Sequence, residues 1–274
     1  MKILKAKAEI LFLDDQRAID EIYARIETAG RTCYKSENHI TPESSRKFAA
    51  MVVKNHHEAM LEHASVMVRF TVDRGVSHEI VRHRLASFAQ ESTRYCNYSK
   101  NKFGKELTFI KPCFINEDVI TSALNKIMII DSDTAVLSAD ERIALSWHNT
   151  CKEAEKTYMY MISDDATPQE ARSVLPNSLK TEVVMTANIR EWRLFFRLRA
   201  ACETGMPHPQ MLEVAVPLYQ EMQIRLPELF NDIVIPDDVM KQYGKTFFVP
   251  SVSYDDQIEG QISIEELLNE QQSN

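Results

Sequence analysis

The apolar positions of this chain change period several times, and the changes mark its elements. Between Ala64 and Val72 the period is two: Ala64, Val66, Val68, Phe70 and Val72 alternate with Ser65, Met67, Arg69 and Thr71. Successive strand residues point to opposite faces, so this spacing predicts a half-buried strand. Lys2 to Leu13 alternates more weakly and predicts a first strand. Asp14-Asp15 then cap a helix over Gln16–Thr28, where Ile19, Ile22 and Ile26 recur at helical spacing. Gly30 supplies its stop, and Arg31 to His39 reads as loop. Thr41-Pro42-Glu43 is a helix start, with a hydroxyl, a proline and then an acid at the positive dipole end; that helix runs to about Asn55. His56 to His63 is a polar junction.

Beyond the alternating strand, Gly75 is a break and Ser77 is placed to cap a helix. That helix would carry Ser77 to Tyr98, where arginines, histidines, glutamates and serines interleave with aliphatic residues. Glu106–Ile110 predicts a short strand and Asn116–Ile130 a helix. Ser138-Ala-Asp-Glu141 is a capping box that opens a long helix to about Ile162. Thr167-Pro168-Gln169-Glu170 repeats the device, and Leu175-Pro176 closes that segment. Lys180–Thr186 suits a strand, and Ile189–Ala201 a helix rich in aromatics and arginines. Gly205 to Pro209 is a loop; Gln210–Arg225 is a helix that Pro217 should kink or break, and Pro227 stops it. The pattern weakens from Asp237, where only Ile264–Gln272 suggests a short exposed helix before mobile last residues.

Composition narrows the class. The chain has 274 residues, 44% hydrophobic and 26% charged, which is ordinary for a soluble globular protein of one large or two small domains. No apolar run approaches the roughly 20 residues of a membrane helix, and the start shows no signal-peptide pattern. Cys33, Cys96, Cys113, Cys151 and Cys202 are scattered without metal or redox spacing, as expected of reduced thiols in the cytoplasm. A net charge of −8 argues against a nucleic-acid polymer as main partner. It leaves room for a small anion, because a local arginine cluster acts at short range and bulk charge is screened within about 8 Å. There is no phosphate-binding glycine loop, and six glycines leave little room for a dinucleotide fingerprint.

The candidate chemistry lies in Ser77–Tyr98. Arg82-His83-Arg84, as consecutive helical residues, would point in different directions. Either the helix ends there, or they serve different ligands or subunits; alone they read as a solvated basic turn. Ser87, Ser92 and Arg94 change the balance. Serines between helix and loop can donate to a phosphate or a base edge, and Arg94 can hold a phosphate through two parallel hydrogen bonds.

Arg82-His83-Arg84-x-x-Ser87-x-x-x-x-Ser92-x-Arg94 resembles, without gap or mismatch, the signature R-H-R-x-x-S-x-x-x-x-S-x-R of the flavin-dependent thymidylate synthases. His57-Glu58-x-x-Leu61-Glu62-His63 resembles the H-E-x-P-x-E-H stretch before that family's central strand. Arg172-x-x-Leu175-Pro176 resembles its A-R-x-x-L-P segment, and Asn188-x-Arg190 and Leu198-Arg199 its N-x-R and L-R segments. The likeness runs in order from about Arg31 to about Ile224.

The resemblance implies an α+β protein whose central, mainly antiparallel sheet is flanked by helices, with residues 1–236 as the domain and 237–274 as an extension. It implies reductive methylation of dUMP to dTMP, with carbon from methylenetetrahydrofolate, hydride through FAD, and NADPH as reductant. It implies a homotetramer with active sites between subunits, so that neighbouring chains bring different ligands to the diverging side chains. Arg199 matches the catalytic arginine that helps ionise the uracil at N3, in place of a cysteine nucleophile. For dUMP the matching positions are Glu79, Arg82, Gln90, Glu91, Ser92, Thr93, Arg94, Arg172 and Arg199, with the Gln90–Arg94 backbone as an anion cradle. For FAD they are Ala59, Glu62, Arg82, His83, Arg84, Gln90, Asn188, Arg190, Leu194 and His208, and His57 matches a histidine on the folate and flavin face. The chain departs from the family at Glu79, Gln90, Ala59 and Leu194, where some members have glutamine, glutamate, threonine and asparagine. Gly205–Gln210 looks like an insertion carrying His208.

Plainer readings compete at several positions. His56, His57 and His63 lack the second ligand of an H-E-x-x-H motif, since Leu61 takes its place, so no metal site is expected. Trp192, Phe195 and Phe196 at helical spacing read as core before flavin stacking. Tyr158 to Met161 read as core or subunit interface, Arg193 and Arg197 as a solvated face, and Cys33 as a buried thiol near the site. A non-catalytic flavin- or nucleotide-binding homologue is the alternative to an enzyme. An RNA-binding strip over Arg82–Arg94 is disfavoured by the acidic charge and the lack of interleaved surface aromatics.

Overall fold

The computed structural model describes residues 1–129 and 136–245. The predicted Ile264–Gln272 helix and chain end lie outside the described residues. The weakly alternating start forms two strands, β1 (Lys2–Leu4) and β2 (Lys7–Leu11). They are followed by β3 (Ser65–Asp73), β4 (Ala86–Gln90), β5 (Thr108–Ile110) and β6 (Lys180–Asn188). β2, β3, β6 and β4 make a four-stranded sheet in that order, antiparallel at every pairing. β1 pairs in parallel with β5 in a separate two-stranded sheet. The single first strand expected from the pattern is split because its halves pair in different sheets.

The helices are α1 (Gln16–Tyr34), α2 (Ser44–Lys54), α3 (Arg74–Ile80), α4 (Glu117–Ile129), α5 (Ala139–Ser163), α6 (Pro168–Ala171), α7 (Ile189–Arg199), α8 (Pro209–Arg225), α9 (Pro227–Phe230) and α10 (Asp237–Tyr243). The capping boxes at Ser138/Glu141 and Thr167/Glu170 are both present, as their spacing predicted. Pro217 lies inside α8 without dividing it. The first residues after Pro236, Asp237–Tyr243, form α10, with Val239 buried in the main core.

Three helix boundaries differ from expectation. α2 starts only at Ser44, after Thr41-Pro42-Glu43, with Glu43 at the cap position and no side-chain cap bond. α1 starts at the Asp15 cap but runs through Gly30 and the predicted loop to Tyr34, where Lys35 turns left-handed at φ 51° and caps it. Glu27 explains the extension: its carboxylate pairs with Arg31 at 2.9 Å and accepts from Ser44 Oγ at 2.7 Å, tying the last turns to α2. Gly30 serves contact, since a Cβ there would sit 2.4 Å from the Phe48 ring. α3 is capped by Asp73, which accepts from Val76 N at 2.9 Å; Ser77 instead donates to Arg74 O. α3 then stops at Ile80, so the signature is no helix.

The main core lies between the sheet and helices α1, α7 and α8. Val66, Val68, Phe70 and Val72 are at most 4% exposed, as the alternation required. Phe70 meets Trp192 and Phe195, and Trp192 donates from Nε1 to Val66 O at 3.0 Å. The aromatics of α7 are therefore core. Arg193, expected on a solvated face, is 1% exposed and held by Asp232 at 2.7 and 2.5 Å. A guanidinium is tolerated there because the carboxylate meets it through two parallel bonds. Phe70→Ala should cost about 3–5 kcal/mol by opening a cavity against Trp192 and Phe195. Phe12→Ala, at a ring 79% exposed, should change stability by under about 0.5 kcal/mol; urea denaturation of both variants measures the difference.

Candidate active site

α3 and α7 converge on one run of contacts. Asn188 ends β6 and caps α7, its Oδ1 accepting from Glu191 N at 2.9 Å. Glu191 Oε1 faces His83 Nδ1 at 3.2 Å, with both side chains 4% exposed. His83 Nε2 accepts from Arg199 Nε at 3.3 Å, and Arg199 Nη1 donates to Glu79 Oε2 at 3.1 Å. The His83 ring packs on Phe195 with centroids 4.9 Å apart. An arginine Nε–H can only donate, so His83 Nε2 must accept, and the neutral ring carries its proton on Nδ1, towards Glu191. Burial, reinforced by Arg199, lowers the His83 pKa to about 4, so the ring is neutral at pH 7. Burial pushes the Glu191 carboxyl up.

Once the chain leaves α3 at Ile80, His83 turns inward while Arg82 and Arg84 stay exposed. The problem of three diverging helical side chains does not arise. β4 then carries Gln90 inward, where its Nε2 donates to Ser77 Oγ at 3.0 Å and Thr181 Oγ1 at 3.3 Å. β4 is an edge strand of the sheet, so the loop that follows it is open on one side.

That loop is a turn built on Ser92. Ser92 O accepts from Tyr95 N and Cys96 N, and Ser92 Oγ accepts from Arg94 N at 3.3 Å. Glu91 N bonds to Glu182 O, while its carboxylate takes Tyr98 OH and Lys180 Nζ, each at 2.9 Å. Glu91 thus lines a cavity of ≈ 310 Å³ with Lys2, Lys102 and Lys180. Thr93 is buried, and its Oγ1 accepts from Arg172 Nη1 at 3.3 Å, which brings Arg172 to the loop from the far end of α6. Arg94 is exposed beside Tyr95, 5.4 Å from its ring centre. The amides of Glu91 and Arg94 are already bonded within the chain. The guanidiniums of Arg94 and Arg172 are therefore the stronger donors left for an anion.

A third group forms where α7 begins. Arg190 Nη1 bonds Glu62 Oε1 at 2.6 Å, and Glu58 lies 3.7, 3.8 and 3.5 Å from Arg190, Arg193 and Arg197. Glu58 and Glu62 lie on a 3-10 stretch, Glu58–His63, with exposed Ala59; His57, also exposed, precedes it. Leu194 is 43% exposed and lies one turn from Arg190 on the same helix face. His208 is elsewhere. It caps α8, its Nδ1 accepting from Gln210 N at 3.3 Å, beside Asp73 at the opposite end of β3 from Glu62. Cys33, expected to be buried, is exposed on α1 because the helix continues past Gly30.

Among the described residues, Arg82, Arg84, Arg94 and Arg172 make no ion pair, although acids outnumber bases, 40 to 32. Spare guanidiniums around a signature loop are an anion-binding arrangement. Residues 18–228 match the family described as thymidylate synthase complementing protein, Thy1. The chain belongs to this family. A flavin-dependent thymidylate synthase of Corynebacterium aurimucosum is 31% identical over 78% of this chain and 81% of that protein. One from Corynebacterium glutamicum is 27% identical over 77% and 80%. In fold, the chain resembles the crystal structure of a UMP/dUMP methylase, PolB, from Streptomyces cacaoi bound with 5-Br dUMP. The TM-score is 0.61 at 18% identity, covering 89% of this chain and 98% of that one.

Sequence reasoning missed Glu191 as part of the site. Its place in the first turn after the Asn188 cap marks it as a capping-region acid, and nothing in the spacing says that it meets His83, 108 positions earlier. The buried neutral His83 makes stability depend on pH. Its pKa is lowered to about 4 in the fold, against about 6.5 in an unfolded chain. The unfolded state therefore binds the extra proton between those values. The contribution is complete above about pH 6.5 and is lost as pH falls towards 4, at up to about 1.4 kcal/mol per pH unit. Glu191 titrates in the opposite sense, so the difference between wild type and His83→Gln is the quantity to read. Urea midpoints at pH 4.5 and 7 should differ more for wild type than for the variant.

Proposed function

We propose that this member of the thymidylate synthase family converts dUMP to dTMP by reductive methylation. Methylenetetrahydrofolate is the carbon donor, FAD carries the hydride, and NADPH reduces the flavin. The observation that carries this reading is that the four arginines at the matched positions, Arg82, Arg84, Arg94 and Arg172, make no ion pair among the described residues, while a fifth, Arg199, is anchored between His83 and Glu79. The first four answer to phosphates. Arg199 answers to a charge that develops during reaction.

Arg94 and Arg172 hold the nucleotide phosphate, with Thr93 orienting Arg172. Ser92 and Gln90 lie beside the base, and Glu91 braces the loop through Tyr98 and Lys180. Carbon 5 of uracil becomes nucleophilic when the ring loses its N3 proton and charge spreads over the flanking carbonyls. Arg199, permanently protonated and partly shielded from water, stabilises that anion. Glu79 holds Arg199 Nη1 and must yield it, or share it, when the base arrives.

The polar groups present fit a flavin dinucleotide. Arg82 and Arg84 suit its pyrophosphate, and Asn188 keeps its amide donor while its oxygen caps α7. Arg190 and Glu62 offer a paired donor and acceptor, with Ala59, Leu194 and His57 nearby. His83 presents little ring surface, so its contact is through backbone. His208 would reach the flavin only from another copy of the chain. When bound, FAD supplies hydride transfer.

Four of the five cysteines are unsuited as nucleophiles. Burial raises the pKa of Cys96, Cys113, Cys151 and Cys202, with Cys151 at about 11, and the thiolate is the reactive form. Residues 1–236 form the catalytic domain. The extension from 237 begins as α10, docked on the core. We propose a cytoplasmic homotetramer with shared active sites. Leu85 and Tyr95, 70% and 77% exposed in the signature segment, offer apolar surface to a second copy. Among the described residues, no helix is long and apolar enough to cross a membrane.

Purified protein should be yellow, and its flavin absorbance should bleach on NADPH addition with dUMP present. Colourless protein that takes up no added FAD would overturn the reading. Arg199→Ala should lower dTMP formation by about 10²-fold or more while the tetramer persists in light scattering; wild-type turnover would refute N3 activation. Singly replacing each cysteine should leave methylation in every variant. Selective loss in one well-folded variant would restore the cysteine route.

A further inference from the structure

We propose that Glu191 is a positioning residue: through His83 it holds the Arg199 guanidinium in place by fixing which imidazole nitrogen accepts. The inference rests on the role given to Arg199 above and assigns a function to a side chain outside the matched motifs. Glu191 Oε1 is 3.2 Å from His83 Nδ1, and His83 Nε2 is 3.3 Å from Arg199 Nε. Glu191 is 3% exposed and His83 5%. Water therefore cannot readily take the place of either partner.

A carboxylate facing Nδ1 favours the tautomer with the proton there and leaves the Nε2 lone pair towards Arg199. The opposite tautomer would set an N–H against the Arg199 Nε–H, two donors with no acceptor between them. Arg199 is then held at Nε by His83 and at Nη1 by Glu79, from two elements, α3 and the turn after it. The anchors differ in kind. The exposed side of the site can exchange Glu79 for a base. The buried His83–Glu191 side stays made, so the guanidinium keeps its direction when Glu79 lets go.

The groups facing the His83 ring are Glu191, Arg199 and the Phe195 ring, all from α7, with Glu79 of α3 acting through Arg199. Burial and Arg199 keep the ring neutral down to about pH 4. The ring therefore stays neutral across the pH range of an enzyme assay, and the anchor holds wherever Glu191, whose pKa burial raises, is ionised. Glu191→Gln tests it with almost no change of volume. A glutamine amide can accept from Nδ1–H or donate to a bare Nδ1, so the carboxylate's one-sided preference for the Nδ1–H tautomer is lost. His83→Gln sets an amide, with no tautomer to choose, opposite Arg199.

Two readouts are needed. In ring-¹⁵N-histidine NMR of the chain without added cofactor, one histidine should show an Nδ1–H tautomer at pH 7 that disappears in His83→Gln. In Glu191→Gln that signal should no longer stand alone, and the Nε2–H form should appear beside it. In turnover, Glu191→Gln should lower kcat about tenfold or more, with KM for dUMP within about twofold, since Arg94 and Arg172 are untouched. The double variant Glu191→Gln/His83→Gln should recover most of that loss. Wild-type kcat in Glu191→Gln, an Nε2–H ring in the wild type, or a double variant no better than Glu191→Gln would each overturn the proposal. A wild-type chain that makes no dTMP yet shows the Nδ1–H ring, with the Nε2–H form appearing in Glu191→Gln, would refute the proposed reaction and leave the anchor standing.

Discussion

The pairing of β3 with β6 is the constraint on which the rest of the molecule depends. Ser65 lies opposite Asn188 at one end, and Asp73 opposite Lys180 at the other. Each strand hands its chain to a helix at its C-terminal end: β3 to α3 at Asp73, β6 to α7 at Asn188. Antiparallel strands put those exits at opposite ends of the sheet. Strands of nine residues span about 30 Å, at roughly 3.3 Å per residue. α7, with 11 residues, covers about 16 Å at 1.5 Å per residue. α3, with seven, covers about 10 Å by the same rise. Their far ends meet, which is how Glu79 and Arg199 come within 3.1 Å. The near end of α7 stays by Glu62, so one helix joins the Arg190–Glu62 pair to the Arg199 anchor.

Two groups of arginines differ in how their charge is used. Arg193 and Arg225 are buried and spend their donors on the fold, Arg193 on Asp232 and Leu229 O, Arg225 on Glu221 and Leu13 O. Arg82, Arg84, Arg94 and Arg172 make no ion pair among the described residues. In a chain of net charge −8, leaving these unneutralised costs little in bulk repulsion and leaves a local surface ready for anions. Arg199 lies between the two kinds. It is half-buried, anchored at Nε by His83, and paired at Nη1 with the Glu79 carboxylate.

The candidate site is shaped as much by what is already bonded as by what is free. The amides of Glu91 and Arg94 are taken up by Glu182 O and Ser92 Oγ, and Gln90 turns its Nε2 to Ser77 and Thr181. The signature loop is thus braced by its own hydrogen bonds. A site organised in advance loses less entropy on binding and aims its donors at where charge develops. The family likeness over residues 18–228 fits this frame, since it covers β3, β6, α3 and α7.

Local patterns determined the elements whose cause is local. Alternation at Ala64–Val72 specified β3, and the capping boxes at Ser138 and Thr167 specified α5 and α6. The Arg82–Arg94 signature specified the family and marked eight of the candidate residues. The sequence alone did not determine where α1 ends, because Glu27 reaches Ser44 on another helix. Nor did it show that α3 stops at Ile80, which turns the signature from a helix with three diverging faces into a turn and an edge strand. Arg193 looked solvated until Asp232 was brought to it across 39 positions. Glu191 looked like a helix-start acid until the β3–β6 pairing brought His83 to it. Short-range hydrogen bonding and side-chain periodicity can be read along a chain. Contacts between distant segments are set by sheet register and helix length together, and only the tertiary structure decides them.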